Sequence, residues 1–224
     1  MFKHELVKFI EIESTTTAGG RFYSSPCGLL PSVTTVLGNV IDKSGLQAWR
    51  DAVGEEEANR VSARSARRGT ALHNVCEKFV LNDSTYMNGI MPITLELFKQ
   101  VRPVLEHRLS VVYASEIPLY SNYLRVAGRC DLVGVFDGKK SIIDYKTTNW
   151  AKTDDMMLSY FVQETIYAIM FEELYGIPIS HLVTISAGES ESEAQVVIKH
   201  RDDYAPIAVK LIKTYYEKIF PSFT

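Results

Sequence analysis

Alternating and helical patterns of apolar residues divide the N-terminal part of the chain into short elements. Partial alternation over 4–13 predicts a strand, and RFYSS at 21–25 predicts its hairpin partner after a turn rich in Thr and Gly. The segment LPSVTTVLG at 30–38 predicts a short helix. Ser32 or Thr34 would cap this helix, because a hydroxyl can accept one of its first free N–H groups.

Longer helices are expected further along the chain. Helical periodicity covers about 46–81, with interruptions near Gly54 and Gly69, so that Gly69-Thr70 would begin a new helix with His73 in its first turn. Other helices are predicted at 93–109, where Pro103 marks a kink or a start, at 155–175 and at 202–219.

Five segments rich in β-branched and aromatic residues predict strands; they are 110–121, 125–136, 140–148, 181–188 and 194–200. Helices and strands alternate, and no linker, internal repeat or low-complexity segment separates them. The whole chain, 1–224, is therefore expected to form a single α/β domain with a central mixed β-sheet flanked by helices.

Composition narrows the class of protein. The 224 residues are 46% hydrophobic and 23% charged, which is typical of a globular domain with one substantial core. No apolar run reaches the roughly 18 residues of a membrane span. The opening MFKHELVKFIEIES has neither the apolar core of a signal peptide nor the Arg-rich character of a transit peptide.

The number of cysteines and the net charge narrow the class of protein further. The three cysteines are widely spaced, which argues against a disulfide framework, a zinc site or a four-cysteine iron–sulfur site. A reduced, cytoplasmic location is the expectation. The net charge of −3 means that any binding to nucleic acid depends on a local basic patch.

The stretch GRCDLVGVFDGKKSIIDYKTTN at 128–149 carries the clearest chemistry. Asp137-Gly138 between two apolar runs predicts a two-residue type I′ turn, because both residues tolerate positive φ. The resulting register places Asp131 directly opposite Asp144, with Lys146 on the same face. A four-residue turn would keep these three side chains on one face, whereas a three-residue loop without a bulge would separate them.

Two carboxylates side by side at the edge of a core are destabilising unless a cation compensates for them. Hard oxygen ligands favour Mg²⁺, with Mn²⁺ as a substitute. Lys146 could orient or help deprotonate an attacking water and offset charge in a phosphoryl-transfer transition state. Asp-x-Lys is a common tripeptide, and Asp137-Gly138-Lys139 is another, so it is the placement of Asp131 that adds weight to Asp144-Tyr145-Lys146.

Two helical pairs complete the pattern. His73 and Glu77 are four residues apart and share one face of their predicted helix, and Gln163 and Tyr167 do the same. Each pair alone is more typical of ordinary packing, with a structural histidine or a buried tyrosine.

In chain order, Gly69-Thr70-x-x-His73, Asp131, Asp144-x-Lys146 and Gln163-x-x-x-Tyr167 resemble the motifs of the RecB-like exonuclease branch of the PD-(D/E)XK nuclease superfamily. The resemblance gives a motif core at about 69–167 and an N-terminal strand and helix extension at about 1–68. The segments LPSVTTVLG, LQAWRDAVGEEEANR and ARRGTALH extend it to about residue 30. They are similar to the small group that contains the mitochondrial genome maintenance exonuclease and exonucleases of tailed phages, with the phage type as the closer match.

The resemblance implies roles for individual residues. The metal ligands that it implies are Asp131, Asp144, His73 and the carbonyl oxygen of Tyr145. The catalytic set also includes Lys146 as the catalytic lysine, Glu116 on the preceding strand, and Gln163 and Tyr167 as residues that support the site or contact the DNA backbone. Cys130 stands where the superfamily name suggests proline, at a position that varies.

DNA-binding residues are expected on one helix face and at one helix start. Arg60, Arg64 and Arg68 recur every four residues with Arg67 beside them, and this stripe runs toward His73. It is either a solvated helix face or a phosphate-binding surface. Further contacts are expected from hydroxyls at the first helix start and from one stacking aromatic: Ser32, Thr34, Thr35 and Trp150.

Together with these features, the resemblance implies a Mg²⁺-dependent DNA exonuclease that acts on free ends of single-stranded or frayed DNA. Exonuclease rather than endonuclease activity is expected from the resemblance alone. A structure-specific endonuclease on the same fold is the first alternative, although no insert large enough for recognition separates the motifs. A non-catalytic nucleic-acid-binding module is the second alternative. It is disfavoured because Asp131, Asp144 and Lys146 are all present.

Overall fold

Six helices and nine strands form in the residues that the computed structural model describes, which are 1–42, 44–149 and 151–220. The helices are α1 (Val33–Val40), α2 (Ser44–Val53), α3 (Glu55–Val80), α4 (Pro92–Arg108), α5 (Asp154–Tyr175) and α6 (Arg201–Ile219). The strands are β1 (Lys3–His4), β2 (Glu13–Thr17), β3 (Gly20–Ser25), β4 (Gly28–Pro31), β5 (Leu109–Ser121), β6 (Val126–Phe136), β7 (Lys139–Thr148), β8 (His181–Gly188) and β9 (Gln195–His200).

The larger sheet has six strands in the order β1-β5-β6-β7-β8-β9. β1 runs parallel to β5 and β7 parallel to β8, while the other neighbours are antiparallel. On β7, Ile142 is buried in a cluster with α1, α5 and α6, and Ile143 is buried in a cluster with α3 and α4. Because successive strand residues point to opposite faces, helices cover both faces of the sheet. The predicted mixed sheet flanked by helices is confirmed.

The predicted hairpin between β6 and β7 is present. The Asp137-Gly138 turn has φ angles of 48° and 74°, and a type I′ turn requires both to be positive. The register pairs Phe136 with Lys139 and continues to Leu132 with Ile143. The alignment expected from the sequence is therefore confirmed over these pairs, which end at Leu132 and Ile143, the chain neighbours of Asp131 and Asp144.

The N-terminal segment differs from the prediction. Only Lys3–His4 pairs as a strand, and β2 begins at Glu13. Leu6 and Ile10 are largely exposed, so the partial alternation over 4–13 does not mark a buried face. The predicted strand at 21–25 is present as β3, but its hairpin partner is β2 rather than 4–13. Together with β4, these strands form a second, three-stranded sheet.

Helix α3 continues through Gly69, where the sequence predicts an interruption, whereas the expected break at Gly54 is present. A glycine inside a helix costs only about 1 kcal/mol relative to alanine. The apolar face of α3, which includes the fully buried Leu72 and Cys76, packs against the sheet and offsets this cost. His73 consequently lies well inside a long helix and not in the first turn of a new one.

Two predicted helix starts have different outcomes. Ser32 caps α1, and its hydroxyl accepts a hydrogen bond from the N–H of Thr35 at 2.9 Å. Pro103 lies inside α4, which begins instead at Pro92, a first-turn position where the missing N–H of proline is not needed. None of the described helices combines the length and apolar character needed to cross a bilayer.

Candidate active site

A cleft of about 570 Å³ lies between α3, the strands β5 to β7, α5 and the small N-terminal sheet. Residues from each of these elements line it, although they are far apart in the sequence. The predicted site residues among its lining are Ser32, Thr34, His73, Glu116, Asp131, Asp144, Lys146, Gln163 and Tyr167.

Three carboxylates stand on three neighbouring strands of the cleft. Glu116 lies between the β5 residues that pair with Leu132 and Cys130, the neighbours of Asp131 on β6. The register of β6 with β7 ends at Leu132 and Ile143, next to Asp131 and Asp144. Glu116 has a φ of 48°, which is unusual for a non-glycine residue within a strand. Backbone strain of this kind persists where the surroundings hold it. The Glu116 carboxylate lies on the same side of the cleft as His73, with its Oε1 3.7 Å from His73 Nδ1.

Asp131 is buried and interrupts the ladder between the two hairpin strands. Its Oδ2 accepts a hydrogen bond from the backbone N–H of Tyr145 at 2.9 Å. Burial disfavours its charged form, but the positive charges of His73 and Lys146 outweigh burial and hold the pKa of Asp131 below its usual value. Asp131 is therefore ionised although its side chain is buried at the edge of the hydrophobic core.

Asp144, which is buried, and Lys146, which is half-buried, form an ion pair on the same face of β7. Burial raises the pKa of Asp144 to about 6 although the Lys146 ammonium opposes the rise, because the charge of Asp131 adds to the effect of burial. Burial also disfavours the ammonium, yet the carboxylates of Asp144 and Asp131 outweigh it and raise the pKa of Lys146. Near neutral pH both partners carry their charges.

His73 faces the carboxylates from α3. Its Nε2 lies 2.8 Å from the carbonyl oxygen of Tyr145, and its Nδ1 lies 3.4 Å from Asp131 Oδ1 and 3.7 Å from Glu116 Oε1. Burial lowers the pKa of His73, but the charges and hydrogen bonds of Asp131 and Glu116 outweigh burial and raise the pKa to about 10. The imidazole is thus held between a carbonyl and two carboxylates.

These donor atoms suit a hard divalent cation. One ligand atom from each of His73, Glu116 and Asp131 lies within 4.8 Å of the others. His73 would offer one ring nitrogen to such an ion, and Nδ1 is the nitrogen that faces the carboxylates of Asp131 and Glu116. Carboxylate and carbonyl oxygens with one imidazole form a set that Mg²⁺ or Mn²⁺ accepts. The residues present therefore fit such an ion.

Gln163 and Tyr167 lie side by side on α5 as predicted, with Gln163 Nε2 donating to the Tyr167 hydroxyl at 3.4 Å. The Tyr167 ring packs directly on the backbone of Gly128 in β6, where an added Cβ would lie 2.8 Å from a ring carbon. Because Gly128 has no side chain, the Tyr167 ring can pack against the backbone of β6 at the edge of the cleft.

A profile of the PD-(D/E)XK nuclease superfamily matches residues 36–198, which is most of the chain. The chain belongs to the PD-(D/E)XK nuclease superfamily. No curated protein matches the sequence. Among solved structures, a Eubacterium rectale protein described as a candidate exonuclease is similar, with a TM-score of 0.44 and 12% sequence identity. The match covers 68% of this chain and 66% of that one, slightly less than two thirds of its length.

Not every predicted DNA contact of this superfamily member lies in the cleft. Thr34 is exposed to the cleft beside Ser32. Thr35 is buried, and its hydroxyl is used within the fold, since it accepts the N–H of Arg21 at 2.9 Å and donates to the carbonyl of the same residue at 3.1 Å. Trp150 lies outside the described residues, so its stacking role stays a prediction.

The predicted arginine stripe does not line this cleft. Arg60 is paired with Glu57 at 2.7 Å on its own helix, whereas Arg64 and Arg68 are paired with Glu189. Arg67 is exposed. Arg64 and Arg68 line a smaller cavity of their own, and the DNA-binding role of all four arginines stays a prediction.

Several further polar residues in the cleft are missing from the sequence-based site. Helical spacing from His73 could have identified Thr70, Asn74 and Glu77 on α3. Alternation along β3 could have identified Arg21 and Tyr23. The additional lining residues are Ser14, Arg21, Tyr23, Thr70, Asn74, Glu77 and Arg129. The sequence singles out two of them in other roles, Thr70 in the motif that ends at His73 and Glu77 as a helical neighbour of His73.

Proposed function

We propose that this chain is a metal-dependent DNA exonuclease that removes nucleotides from free ends of single-stranded or frayed DNA. The observation that carries the proposal is the convergence of Asp131, Asp144, Lys146 and His73 in one cleft of a PD-(D/E)XK superfamily member. Asp131, Asp144 and His73, with Glu116 and the Tyr145 carbonyl, would hold the cation. A bound Mg²⁺ or Mn²⁺ would supply Lewis-acid chemistry at the phosphate and an activated water.

Lys146 acts in this proposal as a cation and a hydrogen-bond donor. The raised pKa keeps its amine protonated, so it does not take a proton from the attacking water. The ammonium instead orients that water or a phosphate oxygen and stabilises the negative charge that develops in the transition state. Asp144 holds the ammonium in place through their ion pair.

His73 and Glu116 are held in fixed orientations next to the other proposed metal ligands. The α3 backbone and the contact with Tyr145 fix the imidazole against the strands. Glu116, whose φ is positive, faces the imidazole with its carboxylate. Orientation of this kind matters because small displacements of catalytic groups reduce rates strongly.

The walls of the cleft support a single strand as the substrate. Ser14, Arg21 and Tyr23 of the N-terminal sheet form one wall, and Thr70 and Asn74 of α3 form another. A passage walled on both sides suits one strand better than a duplex. The setting that the motif resemblance suggests is phage-type DNA recombination, replication or degradation in the cytoplasm.

The experiment is cleavage of labelled single-stranded DNA in linear and circular forms, with Mg²⁺ or with EDTA. We expect Mg²⁺-dependent loss of the linear substrate while circles persist. Cleavage of circles would instead support an endonuclease. Absence of cleavage of either form with Mg²⁺ or Mn²⁺ would contradict nuclease activity.

A further inference from the structure

A second cavity, of about 360 Å³, lies where β7 and β8 end beside α3. Arg64, Arg68, Asn149 and Glu189 are among its lining residues. It is close to the catalytic cleft, since Arg68 and His73 are five residues apart on one helix, or about 7.5 Å along the helix axis. Asn149 follows Lys146 by three residues, which spans about 10 Å of extended chain.

Arg68 is an unusual residue for the edge of such a cavity. It is only 9% exposed, and its Nε is buried without a hydrogen-bond partner among the described residues. Its Nη1 donates to Asn149 Oδ1 at 3.2 Å and forms an ion pair with Glu189. A buried guanidinium with a donor to spare has capacity for a further acceptor.

Glu189 lies between the two arginines. Arg64 Nη2 lies 3.0 Å and 3.3 Å from the two carboxylate oxygens of Glu189, while Arg68 contacts one of them. Guanidinium groups bind carboxylate and phosphate oxygens with the same planar geometry. The Glu189 carboxylate therefore occupies a position that a phosphate group could take.

The loop that carries Glu189 is held by hydrogen bonds to Gln100 of α4. The side-chain amide of Gln100 donates to the carbonyl oxygens of Gly188 at 2.9 Å and Glu191 at 3.0 Å, and its oxygen accepts the N–H of Gly188 at 3.1 Å. This holds the loop backbone, so that displacement of Glu189 requires only a side-chain rotation. Without Glu189 the cavity would present two cations and one amide.

We propose that this cavity binds a backbone phosphate of the DNA strand next to the scissile one, and that Glu189 is an internal competitor for that phosphate. The inference rests on the proposed function, because it takes the ligand to be the strand that enters the catalytic cleft. DNA binding then displaces the Glu189 carboxylate from Arg64 and Arg68. Glu189 would weaken binding of phosphates that do not belong to a strand held in the cleft.

The test is fluorescence anisotropy with a short fluorescein-labelled oligo(dT) in EDTA, which prevents cleavage. Glu189→Gln should bind several-fold more tightly than wild type. Its affinity should also depend more steeply on salt, by up to about 0.7 in the slope of log K against log [salt] for one additional phosphate contact. Glu193→Gln is the matched control, because Glu193 is exposed in the same loop and its replacement changes the net charge equally.

Arg64→Ala provides a second variant that does not threaten folding, since its side chain is 69% exposed. It should weaken binding, and Glu189→Gln should gain less affinity in the Arg64→Ala background than in wild type. Equal affinities for Glu189→Gln and Glu193→Gln would show that Glu189 is only a structural partner of the arginines.

Cleavage of linear DNA with Mg²⁺, measured on the same variants, separates this inference from the proposed function. Persistent cleavage with equal affinities for Glu189→Gln and Glu193→Gln overturns the inference alone. If wild type neither binds nor cleaves the DNA, both this inference and the proposed function are overturned.

Discussion

The Nε2 atom of His73 lies 2.8 Å from the carbonyl oxygen of Tyr145, while the Nδ1 atom of the same ring faces Asp131 at 3.4 Å. A carbonyl oxygen can only accept a hydrogen bond, so without a cation at the site Nε2 is the donor. The carboxylates then favour a proton on Nδ1 as well. This arrangement couples the charge of His73 to the stability of the fold.

In EDTA, the stabilising contribution of His73 should depend on pH. Its pKa is raised from 6.5 to about 10, so the folded protein binds the proton more tightly than the unfolded chain. The contribution is fully present below about pH 6.5 and is lost progressively as the pH rises to about 10. We expect the difference in free energy of unfolding between wild type and His73→Gln, measured with urea, to shrink over this range.

Replacement of His107 by glutamine is the control for the His73 prediction, because His107 is exposed on α4 and far from the carboxylates. This control reports how the free energy of unfolding responds to pH when a histidine outside the cleft is replaced. A constant difference between wild type and His73→Gln across the range would contradict a charged His73 in the metal-free fold.

Gly128→Ala should displace Tyr167. The new Cβ would lie 2.8 Å from a ring carbon and 3.0 Å from the hydroxyl oxygen of Tyr167, which is closer than real contacts allow. We expect a loss of about 1–3 kcal/mol in the free energy of unfolding, as for other overpacked sites. The cost should fall in a Tyr167→Leu background, which removes the clashing atoms.

Gly45→Ala is the matched control for Gly128→Ala, since nothing lies within 4 Å of its added Cβ. It should leave stability unchanged or slightly increased because alanine favours the helix. Equal effects of the two substitutions would show that Tyr167 does not depend on the missing side chain of Gly128.

Arg21→Ala should raise the KM for single-stranded DNA more than it lowers kcat. Arg21 lines the cleft and has no ion-pair partner among the described residues, whereas Arg129 nearby is paired with Glu11 at 2.8 Å. Loss of one charge-assisted contact to a phosphate should raise KM by several-fold to about tenfold. Steady-state kinetics at two salt concentrations would measure this, with Arg102→Ala on the exposed side of α4 as control. An unchanged KM would place Arg21 outside the substrate path.

The hairpin could be predicted because residues close together in the sequence determine it. The Asp137-Gly138 turn and the apolar runs on either side determine the register, and the register brings Asp131 next to Asp144. The long helices and the central strands were predictable for the same reason, since their apolar periods are strong. The continuity of α3 through Gly69 was not, because it depends on packing against the sheet, which is a tertiary interaction.

The N-terminal wall of the cleft shows where sequence reasoning ends. The alternation over 4–13 is a weak signal, and the strand partner of 21–25 depends on pairing that local pattern does not determine. Arg21 reaches the cleft only because the small sheet folds over β6, where Ser32 bridges to Ala127. The positive φ of Glu116 likewise has no signature in its own sequence.

The pairing of Arg64 and Arg68 with Glu189 could not be anticipated either. Glu189 is more than a hundred residues away, and only the parallel placement of β8 beside β7 brings it to α3. A stripe of arginines that appears free in sequence is thus largely neutralised in the fold.

The most direct test of a catalytic role for the hairpin compares two lysines. Both Lys146 and Lys139 stand two residues after an aspartate, but Lys139 is exposed next to the turn, whereas the half-buried Lys146 forms an ion pair with Asp144. The measurement is the rate of Mg²⁺-dependent cleavage of end-labelled linear single-stranded DNA by wild type, Lys146→Ala and Lys139→Ala. The account predicts at least about a hundredfold loss for Lys146→Ala, the usual size for a lost transition-state donor, and near wild-type rates for Lys139→Ala. Equal rates for the three proteins would contradict it.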